Sequence, residues 1–234
     1  MKFKVDQEIF NRIEPLSVGV VYCRNIDNHF SGSEIEEEFS KEKQSIKDRF
    51  AEVELSQYPV IQKWRQVYKS FGEKKKRCSV EALIRRTVNG KEIPLINPLV
   101  DIYNTASLKY ELPCGGEDLA KVNDDIELTI ATGQEDFLPL GEETMEHPQE
   151  GEIVYKSGND ILCGSFNYRE SDITKLTNDT KECVLVIEYV NNNETDNLQE
   201  MLDYLSENVS KYLGATTSNY ILTKTNNEVE LKVD

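Results

Sequence analysis

The apolar positions of the chain keep two different periods, and the change comes near Pro113. A β-branched apolar run at residues 16–23, "LSVGVVYC", predicts an early strand. The spacing then turns helical. Ile35, Phe39, Ile46, Phe50 and Val53 recur at near-helical intervals through a charged segment at residues 33–55. Residues 58–71 form a second helix candidate, and Ser79 is placed to cap a third that runs through Ala82, Leu83 and Val88. A fourth lies in "INPLVDIYNTASLKYELPCGGEDL", residues 96–119. There Asn97 suits an N-cap and Pro98 the first helical position, where its missing N–H costs nothing. Leu99, Ile102, Tyr103, Ala106 and Tyr110 form its apolar face, and Pro113 stops it.

Beyond Pro113 alternation dominates. Residues 126–132 read as a strand, and residues 152–156 and 160–166 as a hairpin around "SGND". Residues 183–190 form the most apolar strand of the chain. Residues 197–213 predict a last amphipathic helix with Leu198, Met201, Leu202, Leu205, Val209 and Tyr212 inward and Gly214 as its stop. A closing hairpin is expected from residues 219–225 and 228–233 across Asn226-Asn227. Helices gather first and strands later, which predicts an α+β fold with helices packed on a central β-sandwich or mixed sheet. No repeat or low-complexity linker divides the chain, so residues 1–234 are expected to form one domain.

Composition narrows the function. With 234 residues, 38% of them hydrophobic, the chain can build a core. No apolar run reaches the roughly 18 residues of a membrane span, and the N-terminus is too polar for a secretory signal. Five cysteines without a C-x-x-C pair fit reduced thiols better than a disulfide framework, so a cytoplasmic protein without a membrane partner is expected. His29 and His147 stand in polar, loop-like surroundings, which gives no zinc site and no metal. The formal net charge of −16 argues against a general nucleic-acid binder and against DNA. The cations are nevertheless concentrated. Lys63, Arg65, Lys69, Lys74, Lys75, Lys76 and Arg77 lie close together, continued by Arg85, Arg86 and Lys91, with only Glu73 and Glu81 between them. Such a patch serves one chosen polyanion or is an ordinary solvated face.

No nucleotide-binding glycine loop, zinc-protease motif or serine-hydrolase elbow is present, so no cofactor is implied. Glu188 stands out because it shares a strand face with Val184, Val186 and Val190. A carboxylate there must find a partner: a ligand hydroxyl, water at the strand end, or a lysine. Gly164, beside Cys163, marks either a bulge or a close approach of ligand to backbone. Gly115-Gly116 is either a plain turn or a pair of exposed N–H donors. Cys114 and Cys163 have no histidine placed to activate them and read as small buried thiols.

"WRQVYKSFGEKKKRCSVEALIRR", the helix segment quoted above, "GEIVYKSGNDILCGSFNYRESDITKLT" and "CVLVIE" resemble, in order and spacing, the B3/B4 domain over residues 58–213. This is the tRNA-binding and editing part of the phenylalanyl-tRNA synthetase beta subunit, and it also occurs as free-standing proteins, which the chain resembles more closely. Residues 1–57 fit an N-terminal strand and charged helix of those members. The resemblance implies a partner in tRNA or aminoacyl-tRNA and hydrolysis of a mischarged ester, or else a non-catalytic module that binds tRNA or an amino acid. It places Glu188, Cys163, Gly164 and Asn167 in the amino-acid pocket, with Gly115 and Gly116 bordering it. It assigns no catalytic residue. The sequence departs from the synthetase pattern where a histidine gives way to Gly115, and where Cys163-Gly164-Ser165-Phe166-Asn167-Tyr168 replaces a glycine-richer strand. Phe166, Tyr168 and Arg169 resemble an aromatic-Asn-aromatic-Arg stretch of free-standing members.

Overall fold

A four-stranded antiparallel sheet carries the most apolar strands. β8 (Glu182–Tyr189) lies at its centre beside β2 (Ser17–Arg24), with β3 (Cys114–Asp118) and β9 (Thr216–Leu222) at the edges. In the computed structural model, which describes residues 1–30, 32–191 and 196–232, both faces of this sheet are covered. Alternation explains why. Val21, Cys23, Leu185 and Ile187 point to one face, against α5 (Pro98–Tyr110) and α6 (Asp196–Leu213). Gly19 lets α6 come close, since a Cβ there would stand 2.8 Å from Leu198. Val18, Val20, Val184 and Val186 point to the other face, toward a second sheet.

The second sheet has six strands in the order β10 (Glu228–Glu230), β1 (Lys2–Val5), β4 (Ile126–Ile130), β5 (Ile153–Ser157), β6 (Asp160–Gly164) and β7 (Arg169–Glu170). It is mixed, because β1 and β4 run parallel. A short helix, α1 (Gln7–Arg12), follows β1. Three further helices, α2 (Glu34–Arg49), α3 (Pro59–Ser70) and α4 (Ser79–Val88), complete an α+β fold. On α3 the buried Ile61, Trp64, Val67 and Tyr68 form the inward stripe.

Several expected boundaries shift. The charged helix ends at Arg49 rather than running to Leu55, and Val53 is left exposed beyond it. Ser79 does not cap α4: Cys78 holds the cap position, and the Ser79 Oγ is buried without a hydrogen-bond partner. β6 stops at Gly164 instead of Phe166 because Ser165 and Phe166 take left-handed φ values of 49° and 67°. Gly115-Gly116 is no turn; both pair with Val186 and Leu185 inside β3. The closing hairpin is divided. Its turn forms between Thr223 and Asn226, but β9 pairs with β2 in one sheet and β10 with β1 in the other, so the chain crosses between sheets there. Val233, at the expected end of that strand, lies outside the described residues.

Asn97 caps α5 as its sequence implied, accepting from the Val100 N–H at 3.1 Å, and it also ties the helix to its surroundings. Its Oδ1 accepts from Asn28 Nδ2 at 3.0 Å and its Nδ2 donates to the Leu176 carbonyl at 3.1 Å. Replacing it by alanine strands several buried polar groups. Asn97→Ala is expected to cost about 2–3 kcal/mol in urea unfolding; a loss within error of zero would show that the cap is dispensable.

Candidate functional site

The Asn167 side chain links three elements. Tyr68, from α3, donates its hydroxyl to Asn167 Oδ1 at 2.9 Å, and Asn167 Nδ2 donates to Glu188 Oε2 at 3.1 Å. The other oxygen of Glu188 accepts from the Tyr155 hydroxyl of β5 at 2.8 Å. Glu188 is therefore buried, 2% exposed, and partnered by neutral donors from within the protein. Burial pushes its carboxyl up to about 7, and the two donors draw it back. The same burial, reinforced by the neighbouring charge of Glu188, holds the Tyr155 phenol well above its ordinary range.

The loop that carries Asn167 is strained. A bulky residue at positive φ is uncommon, and each such position costs on the order of 1–3 kcal/mol unless its surroundings enforce it. Here they do. The Phe166 N–H donates to the Ile153 carbonyl at 2.6 Å, and its buried ring lies between Trp64 and Tyr155. The Ser165 carbonyl accepts from Tyr68, its hydroxyl donates to Glu152 at 2.5 Å, and Lys76 donates to that hydroxyl.

A cavity of about 290 Å³ opens between the two sheets at this point. Cys163, Asn167, Tyr155 and Glu188 line it together with Gly115 and Gly116. Gly164 does not; it lies behind the wall, where a Cβ would meet the Phe137 ring at 2.9 Å. Two residues not singled out in the sequence join the lining, Glu117 of β3 and Glu170 of β7. Glu117 shares the inward face of the sheet with Glu188, since its partner across β3–β8 is Val184. Glu170 reaches across from the opposite sheet edge. Gly115 leaves room for it, as a Cβ there would come within 2.7 Å of its carboxylate oxygen. Burial pushes Glu170 up to about 7, and the Gly116 N–H draws it back. Burial and then the charge of Glu170 hold Glu117 well above the carboxylate range. Among the described residues no lysine or arginine pairs with any of the three. No group of three or more metal-ligating side chains there is arranged to hold an ion.

The thiols at the cavity are held in the protonated form. All five cysteines are buried and free, and burial raises Cys114 and Cys163 well above the ordinary thiol range. His29 and His147 are exposed and do not line the cavity.

The cationic segment forms a separate, solvent-facing groove. Arg65, Lys69, Lys74, Lys75, Lys76 and Arg77 line it around Glu73. Lys63 does not join them; it borders another hollow beside Pro59 and Tyr189. Glu81, which in the sequence merely interrupts the run, organises it. Its fully buried carboxylate accepts from Arg65 at 2.7 and 3.2 Å and from Arg85 at 3.0 Å, with Arg77 at 3.3 Å. Burial opposes the charge of Glu81, but the hydrogen bonds and charges of Arg65 and Arg85 outweigh it and keep the carboxyl below its usual range.

Glu170 and Glu188 give the site a pH signature. Both are raised above the roughly 4.3 of an unfolded glutamate, so folding favours their neutral forms. Their contribution is complete below about pH 4.3 and is lost as pH rises through about 7, by on the order of 1–3 kcal/mol per group. Glu170→Gln should therefore be more stable than the wild type at about pH 8 but not at about pH 4.5. Urea unfolding at the two pH values checks this; an equal difference at both contradicts it.

No curated protein matches the chain. One matching solved chain is the crystal structure of an N-terminal fragment of the phenylalanyl-tRNA synthetase beta-subunit from Pyrococcus horikoshii, with 12% identity and a TM-score of 0.44. The match covers 91% of this chain and 49% of that one, so the present chain spans about half the length of the fragment. No described helix is long and apolar enough to cross a membrane. Residues 63–224, well over half of the sequence, match the B3/4 domain, and the chain thus belongs to the B3/4 domain family.

Proposed function

We propose that the chain binds tRNA and hydrolyses the ester of mischarged aminoacyl-tRNA, with the cavity taking the amino acid and the basic groove the nucleic acid. The observation that carries this reading is the pairing of the two surfaces. A cavity large enough for an amino-acid side chain, floored by a buried carboxyl, adjoins the dense cationic surface of a chain whose net charge is −16. Membership of the B3/4 family and the resemblance of the motifs to the editing part of the synthetase beta subunit support it.

In this reading Glu188 addresses a polar group on the amino-acid side chain, with Cys163 and Asn167 as walls. Three carboxyls without a counter-cation favour an ammonium group, which an aminoacyl ester supplies. Glu170 is the group suited to accept a proton, because it is partly open to the cavity and half ionised near neutral pH. Water attacks the ester carbonyl as Glu170 takes its proton. The carbon–oxygen bond to the ribose breaks, the ribose oxygen takes up the proton that Glu170 had accepted, and free amino acid and tRNA leave. A second reading, a binding module without chemistry, is favoured by the absence of any histidine from the cavity lining, including at Gly115.

A panel of mischarged tRNAs separates the two. The wild type is expected to release amino acid from at least one of them above a buffer control. Glu170→Gln should lower that rate by about 100-fold or more with tRNA affinity unchanged. No release from any tRNA overturns the hydrolase and leaves the module. Release unaffected by Glu170→Gln removes Glu170 from the role.

A further inference from the structure

Tyr168 is the only exposed aromatic residue among those described, at 47% of its surface. Its neighbour Phe166 is fully buried, so the exposure is a property of this position rather than of a loose segment. The residue stands at a boundary. A second basic hollow of about 290 Å³, lined by Lys75, Arg77, Arg85, Arg86 and Lys91, continues the cationic groove, and Tyr168 borders both that hollow and the carboxyl-lined cavity. No other described residue lines both.

The position is fixed from below. Asn167 is tied to Tyr68 and Glu188, the Phe166 N–H to the Ile153 carbonyl, and Ser165 to Glu152 and Lys76, so the turn from which Tyr168 projects is anchored on both sheets and on the basic segment. The Lys76 ammonium lies 5.8 Å from the centre of the Tyr168 ring. A rigid, solvent-facing ring beside a track of cations is the arrangement that holds an unpaired base: the cations follow the phosphates and the ring stacks on the base.

From this we infer that Tyr168 is a stacking platform for one unpaired nucleobase of a single-stranded RNA end, placed so that whatever the end carries enters the cavity. The inference rests on the proposed function and adds the element that joins its two halves. Stacking uses the base face and not its edges, so the platform accepts any base and discriminates paired from unpaired ends.

The test is a titration of the full chain against a short single-stranded RNA with 2-aminopurine at its 3′ end, whose fluorescence falls on stacking. The wild type should quench it, and Tyr168→Phe should match the wild type. Tyr168→Ala should lose the quenching and bind about 5- to 150-fold more weakly with an unchanged salt slope. Lys75→Ala should keep the quenching at saturation and lower the salt slope by about 0.7. The same RNA in a duplex should not quench, and adenosine monophosphate should compete only weakly. Tyr168→Ala with wild-type quenching and affinity overturns the platform, as does adenosine monophosphate binding as tightly as the RNA, which would assign the ring to a free nucleotide. If the wild type ignores the RNA yet deacylates tRNA, the platform falls and the proposed function stands; if both fail, both fall.

Discussion

Facing two sheets across Glu188 brings carboxyls from both to one cavity without a cation among the described residues to offset them. A carboxylate in such a space either finds a counter-charge or takes up a proton. Here the protein supplies Glu188 with hydroxyl and amide donors instead of lysine, and burial raises it, Glu170 and Glu117 above the ordinary carboxylate range. The local architecture follows from that choice. Tyr155 and Asn167 must present donors to Glu188, Tyr68 must hold Asn167, and the backbone at Ser165 and Phe166 must enter the left-handed region to turn Asn167 inward. The bare backbone of Gly115 then leaves the space that Glu170 occupies.

Glu81 shows the opposite solution with the same side chain. It is as buried as Glu188, but three arginines surround it and keep it ionised. One glutamate thus stores a cationic surface in fixed geometry while another keeps a cavity free of cations. Lys69, Lys74 and Lys75 make no ion pair among the described residues and are exposed beside the cations that Glu81 holds.

Much of this was legible in the sequence because it lay in periodicity. The alternation of residues 183–190 isolated Glu188, and Asn97-Pro98 announced the start of α5. What escaped depended on contacts distant in sequence. Glu170 looks like an ordinary surface acid until β7 is placed opposite β3, and Glu117 only becomes an inward residue once Gly115-Gly116 is seen as strand. The turn reading of those glycines was natural from local chemistry, since an edge position in a sheet leaves no local signal. Ser79 failed as a cap because Cys78 already holds the extended backbone before the helix. Lys63 sits near its fellow cations in sequence but faces another hollow, as six residues along a helix separate it from Lys69 in direction.

Burial in the cavity holds its carboxyls above their ordinary range. A carbon-13 NMR titration of the glutamate side chains, with Glu170→Gln and Glu188→Gln for assignment, measures this directly. Two glutamate carboxyls are expected to titrate near pH 7, each missing from one variant. A protein in which both of those carboxyls titrate in the ordinary range, near about 4.3, would contradict it.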